Sequence, residues 1–246
     1  MRRTGFEHAP RRSEGVAVSR HRDHDLNPFD PDETSRHAAR VLDLLGTGSG
    51  KVLDLGCGDG RVASSLVRKG HRVVGLDLDA EIESTFLGAT DPNGEFHRGD
   101  LRVDREVPEG LFDAVLLLGN VLMELKLPPE LRAVMHIASS RLAKHGHVVV
   151  DDFPASGWTE LAEGRWADGI DESGSMQMVW SSGNPEFAIR MGEEVDPGAD
   201  RIRPNERVLR LWSGRELDDA AQFAGLAPLD RSDQDDSGLL VYRHDP

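Results

Sequence analysis

Three carboxylates follow short apolar runs in the first half of the chain, and their spacing carries the chemistry. Asp54 lies in Val52-Leu-Asp-Leu55, Asp77 closes His71-Arg-Val-Val-Gly-Leu-Asp77, and Asp100 stands just past Glu95-Phe-His-Arg-Gly99. Behind the first run comes Gly56-Cys-Gly-Asp-Gly60. Glycines at 56, 58 and 60 let the chain turn sharply and leave room for a ligand to lie against backbone. Asp54 falls at the carboxyl end of a strand, where open α/β sheets bind their ligands. Asp77 comes 23 residues later, where a nucleoside-binding fold places the carboxylate that takes both ribose hydroxyls; a cis-diol presents two donors to one ionised group. The plainer alternatives are a tight connection at the glycines and a helix cap at Asp77, although Asp79 can serve as that cap.

Elements of an alternating α/β chain are needed to hold these groups. A helix is expected over 61–68, with apolar residues at 62, 63, 66 and 67 and Gly70 as its stop. A short helix from Ala80 to about 87 separates the second and third strands. The fourth strand, 111–118, is almost continuously apolar from Ala114, as a strand buried on both faces must be. Pro128 and Pro129 open a helix through about 142, and His147-Val-Val-Val-Asp151 is a fifth strand. Upstream, a helix over 33–45 shows one apolar face at 38, 41, 42 and 45.

The ordered set Leu53-Asp-Leu-Gly-Cys-Gly-Asp-Gly60, Gly75-Leu-Asp77, Gly99-Asp100-Leu101 and Phe112-Asp-Ala-Val-Leu-Leu-Leu-Gly-Asn120 resembles the class I methyltransferases that use S-adenosylmethionine. The motifs cover about 45–152. The resemblance implies an α/β, Rossmann-like fold: a seven-stranded, mostly parallel sheet with helices on both faces, plus a small antiparallel β insertion after strand five. It implies S-adenosyl-L-methionine as cofactor, held by Asp54, Gly56, Cys57, Gly58, Asp77, Leu78, Asp100, Leu101, Gly119 and Asn120. In such a site Asp100 accepts the adenine amino group, the Leu101 amide meets a ring nitrogen, and Asn120 lies below the methyl-donating end. Cys57 is expected to pack under the ligand rather than attack it. Where the family often carries a polar residue such as histidine, this chain has Met123 and Glu124. Glu124, Asp152 or an N-terminal histidine are therefore the nominated bases.

The implied organisation is a flexible N-terminus and helical lid (1–45), a core (46–154 and 207–246) and an antiparallel insertion lining the acceptor pocket (155–206). Phe29, His37 and a histidine at 21 or 24 are candidates for the pocket, or else ordinary core and surface residues. In the insertion, 175–181 and 187–191 alternate around a turn, and 207–212 is a third strand. Trp158, Trp166, Trp180, Met176 and Met178 either grip an apolar acceptor or staple the small sheet to the core. Arg190 or Arg210 is placed to pair with an acid on the acceptor. Ser213 and Glu216 form a capping box for a helix over 214–223, and 226–229 with 238–243 return to the main sheet.

A net charge of -15, from 44 acids against 29 Lys plus Arg, disfavours a phosphate-backbone partner. The single Cys57 excludes an internal disulfide, and ten histidines without ligand spacing give no metal site. No run is long enough to span a membrane and the N-terminus lacks a secretion pattern, so the expected setting is the cytoplasm, with a small-molecule acceptor and a monomer or homodimer. Two other functions stay open. A nicotinamide (NAD(P)) oxidoreductase wants Gly-x-Gly-x-x-Gly, whereas Gly60 comes one place early and Arg61 follows. A module that binds S-adenosylmethionine without turnover would keep the same donor motifs.

Overall fold

The computed structural model describes residues 31–151, 169–183, 185–229 and 238–245. Its main sheet has seven strands in the order β3-β2-β1-β4-β5-β10-β9. These are β1 (Lys51–Leu55), β2 (Arg72–Asp77), β3 (Gly94–Arg98), β4 (Phe112–Leu117), β5 (Leu142–Asp151), β9 (Leu226–Pro228) and β10 (Leu239–His244). β1 through β5 run parallel, and β10 is antiparallel to both of its neighbours. The Rossmann-like α/β expectation is therefore met.

Strand periodicity builds two cores at once. Side chains alternate across a sheet, so Leu53, Leu55, Val115, Leu117, Val148 and Val150 face one layer. Val52, Ala114, Leu116 and Val149 face the other. The first layer is closed by α4 (Pro128–Ser140) and α5 (Gly214–Phe223), which bring Leu131, Val134, Met135, Leu217 and Ala221. The second is closed by α1 (Pro31–Leu45), α2 (Ala63–Arg68) and α3 (Glu83–Thr90), through Ala38, Val41, Ala63, Leu66 and Phe86. α1 thus packs its apolar face on the sheet as a core layer, and Thr34 in its first turn bonds Arg61.

The chain steps outward from β1 to β3 and then crosses back to β4. Connections after β1 and β4 leave in opposite directions, which opens a crevice at their carboxyl ends. That crevice positions the site.

Several boundaries differ from the sequence reading. α2 begins at Ala63 rather than 61, because 61 and 62 are still used by the glycine turn. β5 starts at Leu142, five residues early, through a register break opposite Phe112/Ala114. The insertion does form an antiparallel sheet, from β6 (Met176–Trp180), β7 (Glu186–Met191) and β8 (Leu209–Arg210). Its third strand, expected over 207–212, is two residues long: Phe187 pairs with Leu209 and Glu186 with Arg210.

Candidate active site

The glycine turn is wired to the end of β2. Leu76 O accepts from the amides of Gly56 (2.8 Å) and Cys57 (3.1 Å), and Asp77 Oδ2 accepts from the Gly58 amide at 3.1 Å. Two of its glycines are required for different reasons. Gly56 has φ +79°, and a Cβ there would overlap Val121. Gly58 has φ +51°, yet a Cβ would meet nothing within 4 Å, so its open face is free to receive a ligand. Beneath the turn, a Cβ on Gly75 would come 2.7 Å from Cys57 Sγ and 2.6 Å from Phe86. Cys57 is buried, and burial together with the neighbouring carboxylates pushes its thiol far above the ordinary range. It packs; it is not poised as a nucleophile.

Asp54, Asp77 and Asp100 stand at the ends of three adjacent strands. Asp54 is 4% exposed, and its carboxyl is pushed up to about 7, chiefly by burial; Arg61 opposes the shift, while Asp77 and Asp151 add to it. Asp77 also accepts from the Asp79 amide at 3.0 Å, while Asp79 caps the following turn through the Glu81 amide. Both Asp100 oxygens are taken by the Arg102 guanidinium, at 2.7–3.1 Å, which holds that carboxyl below its usual range. Arg102 also lies 3.6 Å from Glu130, which accepts from the amides of Lys126 and Leu127 ahead of α4. The loop after β3 and the loop after β4 are therefore joined through one arginine.

The loop after β4 begins at Gly119 (φ +78°) and Asn120, whose φ of +60° is the one left-handed non-glycine conformation among the described residues. It is pinned by Asp151: the Asn120 amide donates to Asp151 Oδ2 at 2.8 Å. Asp151 is pushed up to about 6 by burial, against the pull of the Asn120 and Gly119 amides and Arg61. Arg61 donates to Thr34 Oγ1 at 3.0 Å, tying the first turn of α1 to this end of the sheet.

The small sheet sits against the same loop. Met123 packs with Met178, Phe187 and Leu211. Trp212 Nε1 donates to Leu122 O at 2.8 Å, Arg210 donates to Lys126 O at 3.1 Å, and Glu124 is ion-paired with Arg207. Between them lies a small recess of about 20 Å³, partly open to solvent and lined by Asn120, Leu122, Met123, Asp151, Leu211, Trp212 and Leu217.

The arginines offered to an acceptor acid are used within the fold. Arg190 is 1% exposed and forked onto Glu206 at 2.6 and 3.2 Å, with a further bond to Arg201 O. Arg210 pairs with Glu216 at 2.9 Å and lies over the Trp212 ring. Trp180 stacks at a tilt on Phe187, 5.0 Å between centroids. His37 is buried in α1, 3.6 Å from Glu33. Asp152, Phe29, His21, His24, Trp158 and Trp166 lie outside the described residues. Sequence reasoning missed Arg61, which entered only as a helix start and as a break in the glycine spacing; Asp151 it placed at the end of the fifth strand, on the rim shared with Asp54, Asp77 and Asn120, without singling it out from Asp152. No group of three or more His, Cys, Asp or Glu able to hold a metal ion occurs among the described residues.

A parallel sheet crossing over at β1 and β4, with a glycine turn and strand-end acids at the crevice, defines the class I S-adenosylmethionine-dependent methyltransferase fold. A methyltransferase domain family model matches residues 29–230, and the chain belongs to that family. It is 31% identical over 126 residues to a ubiquinone biosynthesis O-methyltransferase of Erwinia tasmaniensis, covering 50% of this chain and 47% of that protein. The chain thus spans about half the length of the curated relatives it matches. Among solved structures, the CcbJ methyltransferase of Streptomyces caelestis is similar with TM-score 0.64 at 23% identity, over 90% of this chain and 94% of that one. The sugar N-methyltransferase KedS8 of a Streptoalloteichus species is similar with TM-score 0.64 at 19% identity, over 98% and 100%. These two likenesses speak to the fold.

Proposed function

We propose that this methyltransferase transfers a methyl group from S-adenosylmethionine to a nitrogen or oxygen of a small organic molecule. The observation that carries the proposal is the junction of an open glycine face at Gly58, Asp77 bonded to that same glycine's amide, and the recess at Asn120. In this reading the ribose diol meets Asp77, with Leu78 beside it. Adenine lies between Asp100 and the Leu101 amide, and Gly56, Cys57 and Gly58 form the floor near Asp54. Gly119 and Asn120 then lie under the methionine end. The sulfonium supplies the electrophile, so the protein's task is to align the acceptor lone pair with the methyl and exclude water.

Both acceptor atoms have support. The matched curated relatives are O-methyltransferases, and one fold neighbour is a sugar N-methyltransferase. For proton removal Glu124 is exposed and committed to Arg207, and Asp152 directly follows Asp151. The acidic balance supports a non-nucleic-acid acceptor, and no described helix is long and apolar enough to cross a membrane. A cytoplasmic monomer or homodimer completes the reading. Parallel calorimetric titrations with S-adenosylmethionine, S-adenosylhomocysteine and NAD test it: the two sulfur compounds bind and NAD does not, whereas binding of NAD alone overturns it. A labelled-methyl screen of small amines and phenols then separates turnover from mere retention of the cofactor.

A further inference from the structure

Among the described residues, the wall of the recess beside Asn120 has a single ionisable group. Leu122, Met123, Leu211, Trp212 and Leu217 make it apolar, and Asp151 is the one charged residue of that described lining. Arg61, Glu33 and Asp54 act on Asp151, and Asp59 draws on the same arginine, so four carboxylates share one guanidinium. An anionic acceptor is repelled here, and a cationic one is drawn in. Asp151 also holds the amide of Asn120, the residue placed under the reacting methyl in the reading above.

We infer that this recess takes the primary or secondary amino group of a small acceptor whose remainder lies at its open mouth, and that Asp151 binds the amine and takes the proton it must lose. The inference rests on the methyl-transfer function proposed above. Proton transfer from an ammonium to a carboxylate turns two charges into two neutral groups, which a desolvated apolar recess favours. The same transfer from a hydroxyl leaves one anion in place of another, beside Asp54 and Glu33, with no such gain. An aliphatic hydroxyl lies some 10 pKa units above a carboxyl pushed up to about 6, and an ammonium only about 4 units above it. In the transfer itself the nitrogen lone pair forms the N–C bond as the C–S bond breaks, and its electron pair stays on sulfur. Asp151 releases the first proton to solvent, and the emptied carboxylate then accepts the extra proton of the methylated ammonium and passes it on in turn.

The test uses the full chain saturated with S-adenosylhomocysteine and three matched probe types: benzylamine and cyclohexylamine, their alcohols, and benzoate. The amines bind at least about tenfold more tightly than the alcohols or benzoate, and labelled methyl from S-adenosylmethionine appears on nitrogen. In Asp151→Asn, S-adenosylhomocysteine affinity stays within about fivefold, amine binding weakens at least tenfold, and methyl transfer falls about 100-fold or more. Should that variant not fold, amine binding to the unaltered protein is followed with pH and declines as the solution is acidified below about 6, where Asp151 loses its charge. Preference for the alcohols or benzoate, no amine binding to a protein that holds S-adenosylhomocysteine, or an unaffected Asp151→Asn variant overturns the inference. Failure to bind either sulfur compound instead removes the function beneath it, and is seen before any acceptor is added.

Discussion

Replacing Asp77 by Ala tests the donor half most directly. Its carboxylate already accepts from the Gly58 and Asp79 amides, at 3.1 and 3.0 Å, and each oxygen retains a lone pair for one ribose hydroxyl. Hydrogen bonds to a charged acceptor contribute about 1.5–3 kcal/mol each. Losing two removes at least about 3 kcal/mol, or about 100-fold in affinity. Thermal denaturation reads this out without an acceptor. At a ligand concentration 100 times the wild-type dissociation constant, S-adenosylhomocysteine stabilises the folded protein by about 2.7 kcal/mol, and a 100-fold weaker variant by only about 0.4 kcal/mol. At about 2–4 °C per kcal/mol for a domain of this size, the ligand-induced shift falls from roughly 5–10 °C to about 1 °C. Asp77→Asn retains one acceptor oxygen and falls between. A folded Asp77→Ala protein whose ligand-induced shift equals that of the wild type refutes the assignment of the ribose to this carboxylate.

Three further outcomes follow from the geometry. Asp54 keeps its proton up to about pH 7 when folded but only to about 3.8 when unfolded, so folding takes up a proton between those values and stability declines as pH rises through them. Asp54→Asn is accordingly more stable than wild type at pH 8, by on the order of 1–4 kcal/mol in urea denaturation, and the margin vanishes toward pH 4. Gly58→Ala has space but an unfavourable φ, so it loses only about 1–2 kcal/mol of stability while S-adenosylhomocysteine binding is abolished; retained binding would place the ligand elsewhere. Arg190→Ala leaves Glu206 to the Arg203 amide and side chain alone and destabilises by about 1–3 kcal/mol, with acceptor preference unchanged in the labelled-methyl assay.

Local chemistry was legible in the sequence and long-range pairing was not. A strand, a glycine turn and an acid are adjacent in the chain, so the positions of Asp54, Asp77 and Asn120 at strand ends follow from pattern alone. The role of Arg190 depends on Glu206, sixteen residues away, and that of Glu124 on Arg207, 83 residues away. Nothing in hydrophobic periodicity encodes such partners. Asp151 shows the limit most sharply. Only the packing of β5 between β4 and β10 shows Asp151 bonded to the Asn120 amide.

The surplus of negative charge at the crevice has a consequence for the reaction as a whole. Asp54 and Asp151 are both held in surroundings that oppose their ionisation, and Arg61 offsets only part of this. On the function proposed above, a sulfonium beside them brings the missing positive charge, so the donor is favoured over its neutral thioether product for an electrostatic reason. When the acceptor is an amine, methyl transfer moves that charge from sulfur to nitrogen within the same field, and the barrier carries little cost of separating charge. When the acceptor is a neutral hydroxyl, the positive charge falls on oxygen and the proton must leave at once, or an alkoxide must first form among carboxylates. The fold thus stabilises a migrating cation, and an anionic nucleophile is the species it resists.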